Sequence, residues 1–558
     1  MELKKTVLKF ALHNAVQFKG KASVGAVIGR VLADAPELKK DITLVSKAVQ
    51  QAVNDVNALS PDEQSYQLKN MAPELMQKKK AEKRGLPELK NAVVGKVVTR
   101  LPPEPSKHLH IGHALSFLIN YLYAEKYRGK CVLRFEDTNP EKCSQEFVDS
   151  VADDLDFLGI KTSKTVFVSN DLLKMYGFAE RLIRQGNAYV CFCERKKVQD
   201  LRHKGIECGC RGRESLLEWK KMLEGAYKEG ECVLRLKLDM SSENQVLRDP
   251  VIFRICKKRH YLQKNKYVVW PLYDFENAVE DELCSVTHIL RSIEFGEMRV
   301  ELQNRIKDLL GFRKQGVRQY GRFNVVGAIT QGRDIRQMIE EKKFSGWDDP
   351  RLVTIKALRR RGIQKSTFYE LAVDVGLSTT PTNIDWSIIA SINRKLIDKK
   401  SNRHFFVENP KKIVIKGSPK KQAEVKLHPE DPKRGARVFK TNEGFFVAGN
   451  DCRAIRAGEL VRLMDCLNFV KKGKGFVFDS QEYEKYRGRG KRIIQWLPAD
   501  EKNIRVEIVM PDASVKKGLG EKDLKSLKVG DIIQFNRVGF CRLDKKEKNR
   551  LVFWFSHD

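Results

Sequence analysis

The sequence predicts a multidomain α/β protein, with a helical N-terminal part, a parallel-sheet domain and a C-terminal part of β-barrels. Three observations carry this expectation. Apolar residues recur at helical spacing from the start to about residue 83. Between residues 95 and 135 a strand, a turn, a helix and a second strand follow one another, a βαβ unit that implies a parallel sheet. From about residue 405 the pattern changes to short alternating strands separated by turns, the texture of barrels or sandwiches. A chain of 558 residues is too long for one core and divides, at roughly 150 residues per domain, into about three to five units.

The N-terminal helices are read from Val7, Phe10, Ala11 and Ala15, from Val24, Val27, Ile28 and Val31, and from Val45, Val49, Val53 and Val56. Ser60-Pro61-Asp62-Glu63 starts a further helix, with Ser as cap and Pro in its first turn. The opening segment MELKKTVLKFALHNAVQF lacks a small-residue cleavage site and reads as a surface helix, not a signal peptide. Lys78, Lys79, Lys80, Lys83 and Arg84, followed by Gly85 and Pro87, form a solvated linker at a domain boundary. The first strand, Gly95 to Arg100, stops at Pro102-Pro103, and a helix with Ala114, Phe117, Leu118 and Tyr121 ends at Arg128-Gly129. Lys130 to Phe135 is the second strand. Parallel sheets place ligands at the carboxyl ends of their strands, where both polar turns fall. The C-terminal strands are Lys412–Lys416, Gly444–Val447, Phe476–Phe478, Ile493–Trp496, Arg505–Val509, Ile532–Phe535 and Leu551–Phe555.

Composition narrows the partners. With 105 Lys+Arg against 72 Asp+Glu, the formal charge is +33, a field that attracts nucleic acid or an anionic membrane surface. At 41% apolar and 32% charged residues the chain is neither a disordered polyelectrolyte nor a membrane protein. Its longest apolar candidate, Phe117 to Ala124, contains Asn120 and falls far short of the ~20 residues that span a bilayer. Twelve cysteines are too few for a disulfide scaffold, so thiols in a reducing cytoplasm are expected.

Two clusters carry chemistry. In His108-Leu-His110-Ile-Gly-His113 a helix opens directly after a strand and a Pro-rich turn. The Gly lets backbone approach a ligand, and imidazoles can donate to phosphate oxygens at the positive helix N-terminus. In Cys191-Phe-Cys193 and Cys208-Gly-Cys210 four thiols fall within 20 residues. They form a structural tetrahedral Zn²⁺ site or two buried thiol pairs; the clustering favours zinc.

On TRLPPEPSKHLHIGHA, LRFEDTNPEK, GWDDPRL, ALRRRGI, VRLMDCLNF and IIQWLP, taken in order, the chain resembles the class I aminoacyl-tRNA synthetases. Within them it is most similar to the archaeal and eukaryotic type glutamyl-tRNA synthetases, relatives of the glutaminyl enzymes. The resemblance implies a helical domain over residues 1–88 and a Rossmann-like catalytic domain over 95–190 and 284–345. It also implies an acceptor-end insertion with the zinc site over 191–283, a helical stem-contact region over 346–404 and two anticodon-binding β-barrels over 405–558. The activity implied is attachment of L-glutamate to tRNA(Glu) in two steps, through glutamyl-adenylate with release of pyrophosphate. ATP would come with Mg²⁺, tRNA(Gln) is a second possible partner, and a cytoplasmic monomer without membrane contact is expected.

The resemblance also assigns residues. His110, Gly112 and His113 would hold the ATP phosphates, with His110 and His113 catalytic. Arg100 and Arg291 would meet the substrate side-chain carboxylate, Glu136 its α-ammonium, and Ser106, Tyr273 and Asn277 would complete the pocket. The second signature of the class departs from the family pattern: Ile329-Thr330-Gln331-Gly332-Arg333 carries Thr330, Gly332 and Arg333 at the ATP-binding positions, with Arg333 in the place of a catalytic Lys. Arg359, Arg360, Arg361, Lys365, Arg394, Lys399, Lys400 and Arg403 would face the inner bend of tRNA. Lys420, Lys421, Lys433, Arg434 and Arg437, with Phe439, Phe445, Phe446 and the basic loop Tyr486 to Arg492, would meet the anticodon. The alternatives are a glutaminyl-tRNA synthetase and, of another class, a non-catalytic tRNA-binding protein.

Overall fold

The computed structural model describes residues 2–18, 20–35, 38, 41–76 and 85–558. The basic run of residues 78–84, expected as a linker, lies outside the described residues. The chain divides into two compact units, Met1–Arg84 and Gly85–Asp558. The boundary thus falls four residues before the expected 88. The reason is local: Tyr123 Oη donates to Pro87 O at 2.9 Å and Leu89 N donates to Tyr127 Oη at 2.9 Å, so residues 86–89 belong to the second unit.

The first unit packs α1 (Glu2–Gln17), α2 (Val24–Asp34), α3 (Ile42–Asn57) and α4 (Pro61–Met71), with the single turn α5 (Pro73–Met76). The periodic residues form its core: Val7, Phe10, Ala11, Ala15, Val27, Val31, Val45, Val49, Val53 and Val56 are all buried. So α1 is a core helix rather than the expected surface one, because its apolar positions fall on one stripe and close over α3. Ser60 caps α4 as expected. Its Oγ accepts from Glu63 N at 3.3 Å while Glu63 Oε2 accepts from Ser60 N at 2.8 Å, a reciprocal capping box.

In the second unit β1 (Val98–Leu101), α6 (Ile111–Lys126) and β2 (Lys130–Phe135) make the expected βαβ unit, and β3 (Lys164–Phe167) extends the parallel sheet. The first strand starts three residues later than expected because Gly95 sits in a turn, where its N–H donates to Tyr127 O at 2.8 Å. The insertion is a four-stranded antiparallel sheet of β4 (Ala188–Cys191), β5 (Val233–Leu236), β6 (Val251–Ile255) and β7 (Val269–Pro271). The chain then returns through β8 (His288–Ser292) and β9 (Gly316–Tyr320), which are parallel to each other. Thr287 fastens this pair beside β1: its N–H donates to Val98 O at 2.9 Å and its Oγ1 accepts from Val98 N at 2.8 Å. The carboxyl ends of β1, β2 and β8 carry Leu101, Phe135 and Ser292 to the edge of one cavity.

Beyond residue 402 the chain builds two seven-stranded sheets. In each, the two edge strands are neighbours in sequence. Arg403–His404 and Phe406–Glu408 are the opposite edges of one sheet, with only Phe405 between them. Arg492–Ile494 and Trp496–Pro498 are the opposite edges of the other, with only Gln495 between them. A single residue cannot span an open sheet, so each sheet curls until its edges meet, which makes a barrel and protects the edges. The segment 493–496, expected as one strand, is therefore two strands and a corner. Gln495 is buried there and joins the barrels: its Oε1 accepts from Phe406 N at 3.2 Å and its Nε2 donates to Asn536 O.

The other corner depends on Glu521, which is 1% exposed. Its carboxylate accepts from Phe405 N, from Arg437 and from His404 Nδ1, the last at 3.0 Å. Replacing it by Ala leaves the Arg437 guanidinium buried without a counter-charge. Glu521→Ala is expected to destabilise the barrels by about 3–5 kcal/mol, measured as a lowered denaturant midpoint of the full chain; an unchanged midpoint would show that the corner is held without it.

Candidate active site

One cavity of about 790 Å³ lies over the carboxyl ends of β1, β2 and β8, and its lining falls into two groups. The first contains Arg100, Glu136, Tyr273, Glu276 and Arg291. Arg100, on β1, is 2% exposed and donates from Nε to Asp281 Oδ1 at 3.1 Å. Arg134, on β2 and fully buried, donates to the same oxygen at 2.8 Å, to Glu136 Oε1 at 2.8 Å and to Asn277 Oδ1 at 2.9 Å. Lys307 approaches Asp281 Oδ2 at 3.6 Å. Burial alone would raise the Asp281 carboxyl, but Arg100, Arg134 and Lys307 together pull it down to about 2.

Arg291, on β8, donates from Nη1 to Gln303 Oε1 at 3.0 Å and lies over the Phe295 ring at 5.4 Å. The Phe295 ring is stacked on Tyr273, with centroids 5.4 Å apart. Among the described residues three guanidinium nitrogens in this group are buried without a hydrogen-bond partner: Nη1 of Arg100, and Nε and Nη2 of Arg291. Burial lowers Arg291 from the usual range, and it raises Glu136, against the pull of Arg134 and Arg100. Glu276 is raised well above the carboxylate range by burial and by the neighbouring Glu136 charge, and it accepts from Thr138 Oγ1.

The second group contains Lys107, His110, Gly112, His113, Thr330 and Gln331. His110 is the N-cap of α6. Its Nδ1 accepts from Gly112 N at 3.0 Å, and His113 Nδ1 accepts from His110 N at 3.2 Å. Because both Nδ1 atoms accept, each neutral ring carries its proton on Nε2, the nitrogen left free to donate. Burial and the charges of Lys107 and Arg322 push His110 down to about 3, and burial holds His113 well below the usual imidazole range. Gly112 is required by this cap: a Cβ there would lie 2.9 Å from His110 Cε1 and 3.3 Å from Phe323 O.

Other expected residues fall outside the lining. Ser106 is buried beside the cavity and donates to Glu104 Oε2 at 3.0 Å. Asn277 stands behind Arg134 rather than in the cavity wall. Of the divergent loop, Thr330 and Gln331 reach the cavity, whereas Gly332 and Arg333 open the helix Gly332–Glu340 and Arg333 is exposed. Sequence reasoning missed Arg134, Glu276, Asp281 and Lys307. Tyr273, Asn277 and Asp281 lie four residues apart on one helix, Tyr273–Leu283, a buried polar stripe whose period was readable.

The family follows from comparison. Sequence models described as tRNA synthetases class I (E and Q) match this chain over residues 96–399 for the catalytic domain, and over 401–484 and 493–544 for anti-codon binding domains. The chain belongs to this family. Curated relatives at this similarity are the glutamate–tRNA ligases of Pyrococcus abyssi, 40% identical over 575 residues, and Thermococcus kodakarensis, 39% identical over 575 residues; each comparison covers 100% of both chains. The glutamate–tRNA ligase of Methanothermobacter thermautotrophicus is 37% identical over 555 residues and covers 99% of each chain.

In this class I chain the four paired cysteines converge. The sulfurs of Cys191, Cys193, Cys208 and Cys210 all lie within 4.8 Å of one another, with Cys191–Cys208 at 3.7 Å and Cys193–Cys210 at 3.9 Å. A tetrahedron with metal–sulfur bonds of about 2.3 Å has edges of about 3.8 Å. Arg235, 1% exposed, donates to Cys191 Sγ at 3.7 Å, and Tyr189 Oη lies 3.5 Å from Cys208 Sγ, so charge is available to balance thiolates.

The basic residues divide. Arg360 forms a fork onto Asp544 at 2.8 and 2.7 Å, and Arg361 is buried, donating to Ser556 O at 2.9 Å. They clamp the helical region to the last barrel, so the expected continuous RNA-facing run does not exist there. Arg434 caps the carbonyls of Lys399 and Lys400, and Arg437, Phe439 and Phe445 are buried. Lys365, Arg394, Lys399, Lys400, Lys420, Lys433, Arg487, Arg489 and Lys491 remain exposed. Among the described residues no helix is long and apolar enough to cross a membrane.

The Asp281 hub makes a signed prediction. Its carboxyl is held below its ordinary value in the folded state, so its contribution is complete above pH ~4 and is lost as pH falls toward about 2. Asp281→Asn is expected to cost about 3–5 kcal/mol at neutral pH and to narrow the stability difference from the parent below pH ~4, measured by denaturant titration across pH. A pH-independent difference would show that the charge is not what matters.

Proposed function

We propose that the chain is a glutamate–tRNA ligase that forms glutamyl-adenylate from ATP and L-glutamate and transfers it to the terminal adenosine of tRNA(Glu). The curated relatives of full length support the activity. The single observation that favours an acidic amino acid is the set of unpartnered, buried guanidinium nitrogens on Arg100 and Arg291 in one cavity. A carboxylate satisfies such forks with two parallel charge-assisted bonds, whereas an amide presents N–H groups to N–H groups.

In this reading Arg100 and Arg291 take the side-chain carboxylate, and Glu136 takes the α-ammonium. The α-carboxylate oxygen attacks the α-phosphorus of ATP and pyrophosphate departs. The chain supplies no nucleophile; it positions the reactants and meets charge as it develops. The Nε2–H groups of His110 and His113, presented at the N-terminus of α6, donate to the phosphate oxygens. The class uses ATP with Mg²⁺, which neutralises phosphate charge when bound. On this side of the lining the acidic side chains are Glu104 and Glu294, and Glu294 is already paired with Arg322, which fits an ion carried by phosphate oxygens and water rather than caged by protein. The remaining parts of the proposal are cytoplasmic location and a monomeric state; the eight cysteines outside the paired set are scattered free thiols, which suits a reducing compartment.

Acylation with glutamate and glutamine on tRNA(Glu) and tRNA(Gln) tests the reading. Charging by glutamate is expected; charging by glutamine alone would make the chain a glutaminyl enzyme. Arg291→Ala is expected to raise KM for glutamate by about 10²-fold, two charge-assisted bonds being worth about 3 kcal/mol.

For the insertion, the donor set and spacing favour one structural Zn²⁺ held by Cys191, Cys193, Cys208 and Cys210. Elemental analysis should find about one zinc per chain and none in Cys208→Ser, whose insertion should become sensitive to protease. Absence of metal from the purified parent chain would leave two thiol pairs instead.

A further inference from the structure

The phosphate side of the cavity holds a cation that the resemblance does not assign. Lys107 lines the cavity three residues before His110, is partly buried, and makes no hydrogen bond or ion pair among the described residues. Arg322, the other cation on this side, is already paired with Glu294 at 2.8 Å, and Arg333 is exposed and outside the lining. Burial lowers the Lys107 ammonium from the usual lysine range; Glu104 and Glu294 oppose that shift while Arg322 adds to it. An ammonium left there without a counter-ion is an anion site in waiting.

The divergent loop is fitted to this lysine. A Cβ on Gly332 would lie 2.8 Å from Lys107 Cδ and 3.2 Å from Lys107 Cβ, so only Gly leaves the lysine stem where it is. One turn along the same helix, Arg336 donates from Nη2 to Ser106 O at 2.8 Å and ties the helix to the turn that carries Lys107. The residue that removes a side chain from the loop and the residue that fills the space are thus in contact.

We propose that Lys107 is a catalytic residue that meets the pyrophosphate part of ATP in the place that Arg333 does not reach, with Gly332 and Arg336 as its positioning residues. The two imidazoles serve the phosphorus under attack. The charge that grows as the bond to pyrophosphate breaks falls on the leaving group, where a compact ammonium matches spread-out phosphate oxygens. This inference rests on the ATP-dependent reaction proposed above.

The test uses the full chain with Lys107→Ala, Lys107→Arg and Gly332→Ala. Glutamate-dependent pyrophosphate exchange, run with tRNA(Glu) present, is expected to fall about 10²-fold in Lys107→Ala and to recover in part in Lys107→Arg. ATP binding should weaken by roughly tenfold while AMP binding keeps its parent value, a split that a merely loosened turn would not produce. Gly332→Ala should lower exchange in the parent and cause no further loss in the Lys107→Ala background. Equal loss of ATP and AMP affinity, unaltered exchange in Lys107→Ala, or additive losses in the double variant would each overturn the proposal. If the parent itself makes no adenylate from glutamate with tRNA(Glu) present, the functional reading fails, and the ATP-to-AMP affinity ratio still decides the role of Lys107.

Discussion

The catalytic unit depends on one buried carboxylate. Asp281 is surrounded by Arg100, Arg134 and Lys307, all nearly inaccessible to solvent, and no arrangement of four such charges survives desolvation unless their geometry is exact enough to repay it. The carboxylate repays it by joining distant segments: β1, β2, the helix that starts at Tyr273, and the helix that carries Lys307. It also leaves a surplus. Four buried cations, with Arg291 counted, face Asp281, Glu136 and Glu280, the last raised by burial to about 7, while burial drives Glu276 toward its neutral form. A site built this way carries excess positive charge on the side of Arg100 and Arg291, which favours a carboxylate over an amide there. The charges that hold these segments together and those that favour an anion in the cavity thus belong to the same residues.

The second group shows how one set of atoms serves both structure and chemistry. The helix α6 needs acceptors for its first N–H groups, and the sequence provides imidazoles where Ser or Asp would ordinarily stand. Using Nδ1 for the cap fixes the tautomer and turns each Nε2–H into a donor without a positive charge on the ring. Burial keeps the rings neutral, so their donor role does not depend on pH near neutrality. Gly112 belongs to the same device, since any side chain there would displace the His110 ring.

Sequence patterning revealed what local chemistry dictates. The βαβ unit, the cap-like HLHIGH turn, the capping box at Ser60, the paired cysteines and the Arg100 strand were all legible because each rests on contacts within a few residues or on a strong motif. What stayed hidden depends on partners far along the chain. Arg134 reads as one more charge in RFEDTNP until Asp281, 147 residues away, is placed against it. Arg359, Arg360 and Arg361 look like a basic face, yet Arg360 and Arg361 are turned inward by Asp544 and by the carbonyls at residues 555 and 556. Phe439 and Phe445 alternate with Lys as base-stacking aromatics would, but the barrel interior has the same period and claims both. The barrel corners at Phe405 and Gln495 could not be read either, because alternation continues across them.

The distribution of charge gives the last step. Pairing Arg360 with Asp544, or Arg437 with Glu521, removes side chains from contact with RNA but does not change the net charge of +33. The field that draws a polyanion inward is a sum over the whole molecule, whereas the contacts that fix it are made only by cations left in solvent. Many of those lie on the loops and turns of the barrels and on the helical region before them, at Lys399, Lys400, Lys420, Lys433, Arg487, Arg489 and Lys491. A tRNA is therefore attracted by all of the chain and gripped by a minority of its basic residues. Salt should weaken encounter with every substrate tRNA alike, because a field of this kind carries no sequence information and discrimination needs contacts to bases.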